Sequence, residues 1–124
     1  MRGRGERILF VDDERMLLEV GRRRLNSIGY DVIVTADPAE ALARLRVDPR
    51  GVDLVITDHS MPGMTGRELA VAIGALRPGL PVILLSGFVD FDSRESIERD
   101  NVRLVLQKPV LLDELARACR IALG

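Results

Sequence analysis

The sequence predicts an α/β chain with a doubly wound, five-stranded parallel sheet and five helices, and three observations predict it. Short apolar runs recur along the 124 residues with helical patterns between them, the runs are apolar throughout instead of alternating, and they stop abruptly at polar residues. Continuous apolarity marks strands buried on both faces, and a parallel sheet covered by helices on both sides through right-handed crossovers provides that burial.

Ile8–Val11 reads as the first strand and ends on the carboxylates Asp12 and Asp13. A helix over Glu14–Ile28 follows, with Leu17, Val20, Leu25 and Ile28 at near-helical spacing and Gly29 able to supply the left-handed residue that closes it. Asp31–Thr35 is the second strand. Asp37 then offers an N-cap and Pro38 the first helical position, for a helix running to Val47. Asp53–Thr57 is the third strand and delivers Asp58 at its carboxyl end, before a loop of turn residues from His59 to Gly66 and a helix over Arg67–Leu76. Pro81 opens a fourth strand, Val82–Leu85, which ends at Ser86-Gly87. Glu95–Arg99 carries the weakest helical pattern of the chain. Val102–Leu106 is the fifth strand and leads to Lys108-Pro109; Asp113–Leu123 is the last helix, with Leu115, Ala118, Cys119 and Ala122 inward.

A chain of this size forms one domain with one continuous core, assigned to residues 7–124, with 1–6 as an N-terminal tail or linker. The net charge of −1 and pI near 5.8 give no electrostatic reason for nucleic-acid binding, and Arg22-Arg23-Arg24 reads as a solvated helix face. Cys119 is alone, which leaves no disulfide framework and no Cys/His zinc set, and makes it a small core residue. The absence of a membrane-length apolar run and of a signal sequence sets the expected location as cytoplasmic, with no membrane partner.

In open parallel sheets the functional crevice lies outside the carboxyl ends of the strands. Asp12 and Asp13, Asp58, Ser86 and Lys108 all fall at such ends. Each has an ordinary reading, as helix cap, turn former or strand terminator, and His59 reads as a solvent-facing loop residue. Against those readings stands the concurrence of four strand ends, each bearing a residue type that one reaction requires. Converging carboxylates repel and need a counter-charge. Lys108 supplies one: it is the single lysine among eighteen basic residues, a point charge on a flexible stem where every other position has a rigid fork. A hard divalent ion such as Mg²⁺ suits the remaining oxygen ligands. A carboxylate beside Mg²⁺, an ammonium and a hydroxyl is equipped to attack phosphorus and to have its acyl phosphate stabilised, so phosphoryl transfer onto an aspartate is the inferred chemistry.

Val11-Asp12-Asp13-Glu14, Asp58 followed by Met61-Pro62-Gly63-Met64-Thr65-Gly66, Ser86-Gly87 and Lys108-Pro109 together resemble the receiver domain of two-component response regulators, the CheY-like fold, from about Glu6 to Leu123. The resemblance implies strand order 2-1-3-4-5 and a signalling domain, not an enzyme acting on a metabolite. It implies Asp58 as phosphoacceptor, Asp12, Asp13, Asp58 and the backbone carbonyl of Ser60 as Mg²⁺ ligands, Ser86 on a phosphoryl oxygen, and Lys108 paired with the phosphorylated aspartate. It further implies a phosphohistidine donor on a sensor histidine kinase or histidine phosphotransfer domain, and a homodimer or downstream protein engaged through helix 4, strand 5 and helix 5.

Two positions depart from the family pattern. Val105 stands where receivers commonly carry Tyr or Phe, and Gly87 where Ala is usual, so the switch is expected to be read through the Ser86–Asp92 loop and helix 4 instead of a ring flip. The reading expects no output domain within these residues, and either a stand-alone regulator or a piece of a longer protein such as a hybrid histidine kinase. Among other classes, an aspartyl-phosphate phosphohydrolase wants a second Asp two residues after the nucleophile, where Ser60 stands. A flavodoxin-like binder wants a glycine-rich loop where Asp12-Asp13-Glu14 stands. The alternative kept is a phosphorylation-independent interaction module of the same fold.

Overall fold

A computed structural model describes residues 2–87 and 94–124. Its elements are β1 Arg7–Val11, α1 Arg15–Ser27, β2 Asp31–Thr35, α2 Pro38–Val47, β3 Leu54–Asp58, α3 Gly66–Leu76, β4 Val82–Ser86, α4 Arg94–Arg99, β5 Leu104–Gln107 and α5 Leu112–Leu123. The five strands form one sheet in the order β2-β1-β3-β4-β5, every pairing parallel. β1, β3 and β4 are interior and almost wholly buried, whereas the residues of the edge strand β5 are half-buried or exposed.

The period of two along each strand divides the core between the faces. Ile8, Phe10, Leu54, Ile56, Ile83 and Leu85 pack under α1 and α5. Leu9, Val11, Val55, Val82 and Leu84 pack under α2 and α3, where Leu42, Leu45, Leu69 and Ile73 close the layer. Burying each such side chain contributes about 1.5–3 kcal/mol, which is why runs apolar on both faces were legible as strands.

Local chemistry sets the helix ends. Asp37 accepts a hydrogen bond from the Ala39 N–H at 2.9 Å with Pro38 at the first helical position, and Gly29 has φ +98° after α1, both as expected. Thr65 and Glu68 form a reciprocal capping box on α3, Glu68 N–H donating to the Thr65 hydroxyl at 3.1 Å and Thr65 N–H to the Glu68 carboxylate at 3.0 Å. The backbone hydrogen bond from Thr65 holds the Glu68 carboxyl below the usual range. Residues 3–6 lie against the domain: Gly5 N–H donates to Gly29 O at 2.8 Å and Glu6 pairs with Arg120 at 3.0 Å.

One expectation is corrected, and the structure selects the inward face of α1. The fifth strand begins at Leu104, not Val102, because the Val102 N–H bonds back to Ile97 O at 2.9 Å and closes the turn after α4 before pairing starts. The buried face of α1 is Leu18, Leu25 and Ile28, with Leu17 and Val20 38% and 51% exposed. Gly21 explains the rotation. A Cβ there would enter the ring of Phe10, so the bare backbone of α1 seats directly on that ring and the helix turns its aliphatic neighbours outward.

Candidate functional site

Parallel pairing brings the polar strand ends to one edge. Val11 is opposite Thr57, and the next residue, Asp12, donates its N–H to Thr35 O at 3.2 Å. Asp58 is opposite Leu85, and the His59 N–H bonds Leu85 O at 2.9 Å. Ser86 is opposite Gln107, and the Lys108 N–H bonds Ser86 O at 2.8 Å. Asp12, Asp58 and Lys108 continue the strand parity of Phe10, Ile56 and Leu106, which assigns all three to the α1/α5 side of the sheet.

There the Lys108 ammonium forms an ion pair with Asp58 Oδ1, the aspartate side chain being 7% exposed and the lysine 34%. One carboxylate oxygen from each of Asp12, Asp13 and Asp58 lies within 4.8 Å of the others. Burial pushes the Asp12 carboxyl above its ordinary range, and the charges of Asp58 and Asp13 add to that; the hydrogen bond from the Glu14 N–H at 3.0 Å and the Lys108 charge oppose it. Oxygen donors gathered this closely are the ligands that a hard divalent ion prefers. The residues therefore fit a hard divalent ion: three oxygens, a single neutralising ammonium, and a carboxyl whose charge is already unfavourable.

The loop after Asp58 is pinned at both ends. Met61 is 7% exposed and sinks into the α2/α3 side of the core, and the Thr57 hydroxyl donates to Asp58 O at 2.9 Å. At the far end the Gly66 N–H donates to His59 O at 2.9 Å, and a side chain on Gly66 would collide with the Asp58 carbonyl and the His59 Cα. Glycine is required there by close backbone approach, not by φ. His59 is half-buried instead of solvent-facing, because that crossing covers it, and the burial pulls its imidazole below the usual range.

Every singled-out residue thus lies at the carboxyl edge of the sheet: Asp12, Asp58 and Ser86 are buried, Asp13 and Ser60 exposed, and Ser86 continues the strand parity of Leu84 on the α2/α3 side. Cys119, fully buried on the inner face of α5, has its thiol pushed up to about 12 by desolvation, as suits a core residue. Of the expected switch loop, residues 88–92 lie outside the described residues. Val105 packs against the core on the α2/α3 side, as does Ile97 of α4. Sequence reasoning missed Arg67 and read Arg24 as part of a solvated helix face, which the structure corrects. Arg67 pairs with Asp100 and donates to the Ser96 hydroxyl, joining α3 to α4, and Arg24 of α1 donates to the Val110 carbonyl. Neither has a local signal, since the partners are 33, 29 and 86 residues away.

Comparison with known proteins agrees with this geometry. The response regulator receiver domain family matches residues 8–120. The chain is 36% identical over 115 residues to the C4-dicarboxylate transport transcriptional regulatory protein DctD of Rhizobium meliloti, covering 93% of this chain and 25% of that one. It is 32% identical over 117 residues to the putative two-component response regulator ARR21 of Arabidopsis thaliana, covering 94% and 19%. The chain thus spans a quarter or less of the length of these curated relatives. Among solved structures, a response regulator receiver domain protein from Clostridium thermocellum superposes with a TM-score of 0.88 at 29% identity, over 95% of this chain and 94% of that one. The receiver domain of the hybrid histidine kinase CckA does so with 0.78 at 32%, over 95% and 99%. No helix among the described residues is long and apolar enough to cross a membrane. The parallel sheet, the acidic edge closed by a lysine, and the match along nearly the whole chain lead to one conclusion: this chain belongs to the response regulator receiver domain family.

Proposed function

We propose that Asp58 accepts a phosphoryl group from a phosphohistidine on a sensor histidine kinase or histidine phosphotransfer domain, in a Mg²⁺-dependent reaction, and that the domain then signals to a protein partner. The observation that carries this reading is the buried Asp58 carboxylate paired with the chain's one lysine, within a set of three carboxylates. In the transfer an Asp58 oxygen forms the new O–P bond while the donor's N–P bond breaks, and its electron pair stays on the donor imidazole. Asp12, Asp13, Asp58 and the Ser60 carbonyl would hold the Mg²⁺, which supplies positive charge to the phosphoryl oxygens. Lys108 and Ser86 serve the same oxygens from the β4/β5 side. Leu17 and Val20 line the groove that also contains Asp12 and Lys108, which supports a protein donor resting beside the acceptor.

By the same reading the domain is a cytoplasmic phosphoacceptor, not an enzyme of metabolism, and α4, β5 and α5 present the face for a downstream protein or a second copy. Intact-mass measurement after incubation with acetyl phosphate, with and without Mg²⁺, tests it. One Mg²⁺-dependent phosphoryl adduct, absent from Asp58→Asn, is expected; no adduct on the folded wild type would leave a phosphorylation-independent interaction module.

A further inference from the structure

We propose that Arg24 is a positioning residue for Lys108: from the last turn of α1 it fixes the segment between β5 and α5 that presents the ammonium to Asp58. This rests on Asp58 being the acceptor. Residues 108–111 have few anchors of their own. The Lys108 N–H bonds Ser86 O at 2.8 Å, Pro109 has no N–H to offer, and the Leu111 N–H reaches its own helix at Glu114 over 3.3 Å. The Val110 carbonyl, two residues beyond Lys108, is held by the Arg24 guanidinium across 86 residues of sequence.

Three features make that contact more than surface decoration. Arg22 and Arg23 both pair with Glu19 of their own helix, whereas Arg24 reaches off the helix and lines the groove that contains Asp12, Lys108, Pro109 and Val110. A hydrogen bond from a guanidinium to a carbonyl is charge-assisted and stronger than one between neutral groups. The helix that carries it is seated firmly, because Gly21 lies directly on the buried Phe10 ring, one helical turn before Arg24. Lys108 approaches Asp58 on a flexible stem, so the backbone at its root decides where the ammonium rests, and a shift near an ångström is enough to degrade such an arrangement.

The test is the affinity of the Mg²⁺-loaded domain for beryllofluoride, a phosphoryl mimic, measured by calorimetry. Arg24→Met keeps the apolar stem and removes the donor; it is expected to weaken beryllofluoride about 5- to 10-fold while leaving Mg²⁺ affinity within about twofold. Arg24→Lys, which retains a charged donor, is expected to recover most of the loss. The decisive readout is the cycle with Lys108→Ala: if Arg24 acts through Lys108, Arg24→Met has no further effect in that background. Because Lys108 is the only lysine, its ¹³Cε resonance in labelled protein reports its placement without assignment, and it should move in Arg24→Met before any mimic is added. Wild-type affinity in Arg24→Met, or an equal loss with and without Lys108, would overturn the proposal. Failure of the wild type itself to bind beryllofluoride would overturn it together with the acceptor reading, and is distinguishable because no variant is needed to see it.

Discussion

The two halves of the site are built differently. Asp12 and Asp58 stand at the ends of the interior strands β1 and β3, which are paired on both sides, and are 2% and 5% exposed. Lys108 follows the half-exposed edge strand β5, and its side chain is one-third exposed. The acidic half is placed by packing and pays in repulsion; the cationic half is placed by a few hydrogen bonds, to Ser86 O and from Arg24. The contrast teaches that one half is preorganised at some expense of stability, and that the other is where modest changes tune the response without disturbing the fold.

The largest expected effect breaks the acidic half. Ionising Asp12 opposes folding, because its carboxyl is raised in the native state; that penalty is present above the native pKa and disappears as pH falls below the unfolded value. Asp12→Asn keeps an oxygen for the Glu14 N–H and removes the charge. At neutral pH the variant should weaken Mg²⁺ about 100-fold, yet without metal it should be more stable than wild type by about 1 kcal/mol. Mg²⁺ titration and chemical denaturation on the same samples check both signs, and a less stable variant would contradict the claim that repulsion is stored there. Next in size, Lys108→Arg probes the cationic half. A planar fork cannot reproduce one ammonium contact, so beryllofluoride affinity should fall about 10-fold while Mg²⁺ binding and the thermal midpoint stay near wild type. Retained affinity would show that charge alone, without shape, suffices at this position.

The same contrast explains what the sequence made legible. Strands buried on both faces announce themselves by composition, and strand ends that carry charge announce the crevice; Asp12, Asp58, Ser86 and Lys108 were readable for that reason. What escaped was fixed by contacts distant in sequence. The inward face of α1 is not legible in the sequence because Leu17 and Val20 satisfy helical spacing as well as Leu18 and Leu25 do, and only the Phe10 ring against Gly21 decides between the stripes. Gly21→Ala tests that account by setting two effects against each other. Helix propensity favours alanine by about 1 kcal/mol, whereas forcing a methyl into a buried ring commonly costs about 1–3 kcal/mol. The steric term should prevail, giving a loss of about 1–2 kcal/mol in denaturant unfolding; a gain would mean that the ring yields and that α1 is less firmly seated than the Arg24 argument requires.

The smallest expected effect is at Gly87, directly after Ser86. Among the described residues a Cβ added there meets nothing within 4 Å, and Gly87 is not among the glycines with positive φ, so alanine suits the backbone there. Removing glycine's freedom in the unfolded chain should then stabilise the domain by about 0.5 kcal/mol, or about 2 °C in thermal midpoint. The informative quantity is the companion measurement of beryllofluoride affinity. If stability rises and affinity is unchanged, the backbone at the end of β4 is already in its responsive geometry, and adjustment is confined to the Lys108 side. If stability rises while affinity falls, Gly87 supplies conformational freedom that Ser86 needs in order to engage the phosphoryl group, and the adjustable half of the site extends from β5 across to β4.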